Sequence, residues 1–254
     1  MDTQETVAFL AGSPERLRLL SLLRESPGSP RDVADSLDVS HRSAQRNLSE
    51  FADRGWVQKC DGNYALTPSG ELVTRTHANY VETLETIERF DAFFRHLPAE
   101  TRLPDPTWLH DATLVVASPD QPQAPVSEYV NRLRSRETDT IRMLAPVLSR
   151  LYHDVHAELV FDGIETELVM PADTLETARS LNPLEFGLVT RAIDIYRYDG
   201  SARIGVTLGD GWALAGAYDE DGQLRALVDC DRPAFVEWAE GIYRRYREAA
   251  RPVR

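Results

Sequence analysis

In the first seventy positions, apolar residues recur at the three- and four-residue spacing of short amphipathic helices, separated by turn residues. Ser13-Pro14 puts a serine at N-cap and a proline in the first turn of a helix carrying Leu17, Leu20 and Leu23, which stops at Ser26-Pro27-Gly28. A second helix opens near Pro30 with Val33, Ala34 and Leu37 on one face. After the turn Leu37-Asp38-Val39, Ser40 caps a third helix whose inner stripe is Ala44, Leu48 and Phe51, and Gly55 ends it. Two short strands follow, 56–59 and 64–66, joined by the hairpin signal Asp61-Gly62.

From Thr67 to Leu97 the pattern is that of one long helix, with Tyr80, Leu84, Ile87, Phe90, Phe94 and Leu97 at three-four spacing. Pro98, Pro104 and Pro106 then read as a linker. Beyond them strands and helices alternate. Strands are expected at 112–117, 139–144 and 165–170, and helices up to about Arg136, over 146–161, over 172–181 and at 184–189. Four strands, 193–198, 202–208, 213–218 and 224–229, are joined by Gly/Asp turns and suggest an antiparallel extension. A last helix from Asp231 has Phe235, Trp238, Ala239, Ile242, Tyr246 and Ala249 on one face. The expected fold is thus a mixed α+β and α/β chain: a winged helix-turn-helix over 1–70, a connecting and dimerisation helix over 67–97, and an α/β sensor or interaction domain over 98–254 with a hairpin extension.

Charge complicates a nucleic-acid reading. The 254 residues carry 41 acidic and 28 basic side chains, a net of −13, and Lys59 is the only lysine. The excess is shared, −4 over 1–97 and −9 over 98–254, so any claim of DNA binding must rest on local features. The third helix supplies them. Positions 41–49 hold Arg42 and Arg46 and no carboxylate. His41, Arg42, Ser43, Gln45, Arg46 and Asn47 crowd its outward turns, and arginine and glutamine or asparagine are the side chains that read guanine and adenine edges in a major groove. Ser40 and the helix N-terminus can receive a phosphate, and Lys59 and Asn63 sit in the hairpin, where a wing touches the backbone. The bland alternative is a solvated helix face.

Residues 10–75 resemble archaeal winged-helix regulators, through the helix followed by DVADSLDVS, the recognition segment, RGWV and YALTPSG. The remainder resembles the sensory domain of the methanogenesis-regulator family, abundant in haloarchaea. The residues that carry this are Ala117-Ser118-Pro119 with Pro122 and Pro125, IRMLAPVL (141–148), GVTLGDGWALAGAYDEDGQLRALVDCD (205–231) and WAEGIYRRYREAA (238–250). The near-absence of lysine on an acidic chain is likewise similar to proteins of salt-loving archaea. The resemblance implies a cytoplasmic transcription regulator, and a further, weaker likeness is to the phospholipase-D-like sensor of sugar-responsive archaeal regulators.

Enzyme readings find little support. His153 and His156 share a helix face but lack a third ligand, so no metal is expected. The His-x-Lys pair of a phospholipase is missing, and no nucleophile elbow or phosphate-binding G-x-x-x-x-G-K occurs. No catalytic residue and no cofactor is expected. Cys60, beside Lys59, reads as a bystander more readily than as a redox sensor. For an effector, the expected lining is Ser118 and Pro146 at strand ends with Tyr196, Tyr198, Trp212 and Tyr218, although core packing is the commoner fate of such aromatics. Tyr80, Leu84, Ile87 and Phe94 are the expected dimer face of a homodimer bound to double-stranded DNA. No run of apolar residues is long enough for a membrane helix. The rival reading is an adaptor whose second domain binds another protein.

Overall fold

The computed structural model describes residues 2–147, 155, 156, 158, 159, 161–181 and 183–253, and the chain divides into two units, Met1–Glu85 and Thr86–Arg254. In the first, helices α1 (Thr3–Ala11), α2 (Pro14–Glu25), α3 (Pro30–Leu37) and α4 (His41–Asp53) precede an antiparallel hairpin of β1 (Val57–Cys60) and β2 (Asn63–Leu66). A backbone bridge between Gly28 and Tyr64 adds a short third edge to that wing. Side chains satisfy some of the helix N-termini, while Ser13 stands at the N-cap of α2, as its sequence foretells, without a side-chain hydrogen bond. Asp2 and Ser40 accept from backbone N–H groups of the first turns, and Ser29 with Asp32 forms a capping box. The Ser29 hydroxyl and N–H hold the Asp32 carboxyl below its usual range.

The core of this unit is Leu19, Leu20, Leu23, Val33, Ala44, Leu48, Phe51, Trp56 and Tyr64. The buried stripe of α2 therefore centres on Leu19, Leu20 and Leu23, with Leu17 only half-buried. Helix α1 had no sequence signal, because Leu10 is its one buried residue. It is attached through Phe9, whose ring lies 3.9 Å from the Arg16 guanidinium and 3.7 Å from that of Arg54, edge-on to Phe51. Past the wing, Gly70 runs so close to Trp56 that a Cβ there would stand 1.9 Å from the Trp56 carbonyl oxygen.

The long helix expected over 67–97 is two helices, α5 (Pro68–Arg89) and α6 (Asp91–His96), broken at Phe90. Phe90 and Phe93 are both fully buried in the core of the second unit, and Phe94 packs beside them. The dihedrals of Phe90 (φ −96°, ψ 12°) make the break. Phe94 therefore leaves the expected dimer face. The boundary moves too, since residues 86–97 belong to the second unit. The proline-rich stretch after them is packed as well: the Trp238 indole N–H donates to the Arg102 carbonyl (2.6 Å) and Arg245 to that of Glu100 (3.2 Å).

The second unit is built on an eight-stranded sheet among the described residues. Its strands are β3 (Thr113–Val116), β4 (Thr140–Leu144), β5 (Glu165–Pro171), β6 (Asp194–Tyr198), β7 (Ile204–Gly209), β8 (Trp212–Tyr218), β9 (Leu224–Cys230) and β10 (Ala250–Pro252), in the order β10-β6-β5-β4-β7-β8-β9-β3. Strands β4, β5 and β6 are parallel, while β4–β7, β7–β8, β8–β9 and β9–β3 are antiparallel. The antiparallel strands are thus no extension but half of one sheet, and 194–198, expected among them, lies in the parallel half. β10 had no counterpart in the sequence pattern. Helices α7 (Ala124–Ser135), α8 (Ala172–Leu181), α9 (Pro183–Ala192) and α10 (Pro233–Ala249) and a 3-10 turn (Pro106–Leu109) join the sheet, and the helix expected over 146–161 lies largely outside the described residues. One sheet face packs α6 and α10 through Phe235, Trp238, Ala239, Ile242 and Tyr246, and the other packs α7 through Tyr129 and Leu133. With both faces covered, β7 and β8 are buried almost throughout.

A charged cluster ties α7 to the sheet. Asp229, 5% exposed, accepts two hydrogen bonds from Arg136 (2.7 and 3.0 Å), and Arg132 lies 3.2 Å away and is also held by Glu128. Replacing Asp229 by alanine would leave two partly buried guanidiniums facing each other. We expect a loss of about 2–3 kcal/mol in urea unfolding, below the figure for a fully buried pair because both arginines keep some solvent, and a smaller loss for Asp229→Asn.

Candidate nucleic-acid interface

Helix α4 has two faces set by its spacing. Ala44, Leu48 and Phe51 point into the core, with Asn47 (3% exposed) beside them. His41, Arg42, Gln45, Arg46, Ser49 and Glu50 surround a shallow, open depression of about 550 Å³ on the other side. Ser40 fixes the start of the helix, its Oγ accepting the Ser43 N–H (3.1 Å) while its own proton remains available to a phosphate. Among the described residues, neither Arg42 nor Arg46 makes a hydrogen bond or ion pair. In a chain with 41 carboxylates this leaves two guanidiniums, one turn apart, free to donate outward.

The wing flanks this face. Tyr64, buried in β2, accepts a long hydrogen bond from Gln45 Nε2 (3.5 Å) and carries the Lys59 ammonium 5.7 Å from its ring centre. Lys59, Cys60 and Asn63 are exposed around the hairpin turn, which Asp61 and Gly62 make with positive φ (50° and 86°).

Of the residues the sequence nominated, Ser40, His41, Arg42, Gln45, Arg46, Lys59 and Asn63 are on the surface of the first unit, all exposed. Two nominations change. Asn47 is buried, because it is three residues from Ala44 and four from Phe51 and so falls inside the apolar stripe. Ser43 is half-buried, and its hydroxyl donates to Glu15 on α2 (3.3 Å). Ser49 and Glu50 were not nominated. For Ser49 the signal was available in its four-residue spacing from Gln45.

The six residues nominated for an effector do not gather around one place, although Tyr218 and Pro146 are neighbours. Tyr196 and Tyr198 lie against α10, Tyr198 edge-on to Tyr246 (5.0 Å between ring centres) and Tyr196 under the Arg247 guanidinium (3.2 Å). Trp212 is buried on the opposite face, its indole filling the space that Gly209 leaves: a Cβ at 209 would be 2.3 Å from the ring. Tyr218 lies over Gly205 beside Pro146, where a Cβ would meet them at 3.0 and 3.2 Å, and Ser118 is exposed in the turn after β3. Core packing accounts for Tyr196, Tyr198 and Trp212, and Tyr218 is buried. His156 is bonded to Tyr129 (2.9 Å), which also bonds Thr207 (2.9 Å), and His153 lies outside the described residues. Among the described residues no group of three or more His, Cys, Asp or Glu is gathered, and no helix is long and apolar enough to cross a membrane.

Comparison with known families bears on both units. Residues 122–249 match the model of the middle domain of the methanogenesis regulatory protein FilR1. The chain belongs to that regulator family. Ahead of its FilR1-type domain, residues 4–89 match the HVO_A0261 N-terminal domain, a stretch that spans α1 to the end of α5. No curated protein is similar enough in sequence to count as a match. Among solved structures, the archaeal chromatin protein TrmBL2, described as showing a novel mode of DNA binding, is 12% identical and aligns over 99% of this chain and 100% of its own, with a TM-score of 0.45. NucT from Helicobacter pylori is 11% identical over 56% of this chain and 99% of its own, TM-score 0.44. The phosphatidylserine synthase of Haemophilus influenzae is 10% identical over 56% and 39%, TM-score 0.40.

Proposed function

We propose that the chain is a sequence-specific, double-stranded-DNA-binding transcription regulator of the cytoplasm. It acts as a homodimer, and its FilR1-type domain takes the regulatory input, a small-molecule effector or a partner. The observation that carries the reading is the outer face of α4: two unpaired arginines, a histidine, a glutamine and a serine around one depression, with Glu50 at its edge beside Arg54, on a capped helix beside a wing. Arg42 and Arg46 have the donors to take guanine O6 and N7, Gln45 has the donor and acceptor for adenine, and Lys59 and Asn63 reach for the backbone. The test is genome-wide occupancy of the tagged protein. Discrete peaks are expected, and none, despite stable expression, would count against sequence-specific reading.

Because few cations face the duplex, few counterions are displaced. The expected log–log dependence of affinity on salt is shallow, about −3 per reader. A slope near −10 in a fluorescence-anisotropy titration would mean a far larger phosphate footprint than α4 and the wing provide.

One observation favours the adaptor reading for the second unit. Leu181, Leu184 and Leu188 on α8 and α9 are 67–84% exposed, an apolar surface suited to a protein. A saturable thermal shift with a small metabolite would speak for an effector, and none across a broad metabolite panel for the adaptor.

A further inference from the structure

The C-terminal part of the outward face of α5 is open to solvent. His77, Tyr80, Leu84 and Ile87 fall on alternating three- and four-residue steps, the repeat of a two-stranded coiled coil, whereas Val73, one step before them, packs on the core of the first unit. The C-terminal three are open, Tyr80 54%, Leu84 41% and Ile87 40% exposed, while His77 is half-buried and stacks on Tyr80 (6.5 Å between ring centres, planes 21° apart). Such a row of side chains along about 15 Å of helix is not left in water without cause.

The charges of α5 say what covers it. Its six charged residues are Glu71, Arg75, Glu82, Glu85, Glu88 and Arg89. At 100° per residue, five of them project away from the stripe, and only Glu88 borders it. The other flanking positions are Thr76, Val81 and Thr83. Copies of an acidic chain of net −13 repel one another wherever carboxylates face carboxylates, and this face is nearly neutral. A basic partner would find no carboxylate row here to bind. The seam suits a surface of its own kind.

We infer that α5 pairs with α5 of a second copy of this chain, in parallel and in register. His77, Tyr80, Leu84 and Ile87 each face their own counterparts. Thr76 then meets Val81 across the seam and Thr83 meets Glu88, so no like charges oppose one another. The seam itself follows from α5, whereas the choice of parallel over antiparallel rests on the proposed DNA reading, since it sets both readers at the same end, as two half-sites on one duplex require. His77 fits this interior in its neutral form, because burial already pushes its pKa below the ordinary histidine value.

The test uses the full chain. Light scattering coupled to size exclusion is expected to give twice the 28.6 kDa chain mass for the wild type and the single mass for Leu84→Glu/Ile87→Glu, whose exposed positions leave the fold intact by circular dichroism. With exposed Cys60 changed to serine, Leu84→Cys should give a disulfide-linked dimer under mild oxidation. A monomeric wild type, or a dimer that survives both charges, overturns the pairing. Cross-linking of Tyr80→Cys chains to Leu84→Cys chains, with none between Leu84→Cys chains, overturns the parallel register. Since neither readout involves DNA, a monomer that still finds its genomic sites would sink the seam and leave the reader standing, and a dimer without sites would do the reverse.

Discussion

Changing Arg42 and Arg46 together to alanine is expected to abolish discrete genomic occupancy while leaving the protein folded. Both side chains are exposed and neither holds another residue in place among the described ones, so the thermal midpoint should move by no more than about 1–2 °C, as for ordinary surface changes. Each bidentate arginine–guanine pair discriminates by about 1–3 kcal/mol. Losing two removes roughly 2–6 kcal/mol, against the 4–10 kcal/mol that separates specific from non-specific binding in such proteins. The double variant should therefore fall 30-fold or more in operator affinity, with a much smaller change on random duplex. An equal loss on both would recast the two arginines as phosphate contacts, and an unchanged operator affinity would remove α4 from the groove.

Gly70→Ala is expected to be the most damaging single change in the reader. The added methyl would stand 1.9 Å from the Trp56 carbonyl oxygen and 2.8 Å from its carbon, both backbone atoms that cannot rotate away. That same oxygen accepts the Thr67 N–H (2.9 Å), and the Thr67 hydroxyl both donates to Gly55 and accepts from Gly70 N–H, so wing and first turn of α5 are laced together at this point. Relief requires α5 to lift off, exposing Trp56, and the cost should be about 3 kcal/mol or more. Gly55→Ala is the informative control. Its strain is conformational only, from a φ of 72° with nothing within 4 Å of the methyl, and about 1 kcal/mol is expected. If Gly70→Ala proved the milder of the two by urea unfolding, the close approach would not be what fixes glycine there.

The reader was legible because its signals are local. A cap at Ser40, a proline after Ser29 and an Asp-Gly turn each act within four residues, and spacing assigned Ala44, Leu48 and Phe51 to the inside. Asn47 was misplaced for a related reason: polarity argued outward, whereas its position on the helix put it inward. Phe90 and Phe94 continued a helical stripe perfectly well. Only the second unit's core, assembled from β7 to β9 and α10, decides that Phe90 and Phe93 must both turn in. Aromatic residues at alternate strand positions look the same from sequence whether they line a pocket or support a helix, and Tyr196 and Tyr198 prove to do the latter. Sheet order was likewise beyond reach. The pairing of β4 with β7 joins residues more than sixty positions apart, and no local pattern announces it.

Phe90 and Phe93 also decide where this molecule can be cut. A graft made at the proline stretch, where composition invites the scissors, would strip two phenylalanine rings from the core of the regulatory half and send them out as a sticky tail on the reader. A graft made between Glu85 and Thr86 keeps each half's core at home. Modular swaps of regulatory halves between readers, in the laboratory or in a genome, are workable only when the last twelve residues of the apparent connector travel with the half that follows them.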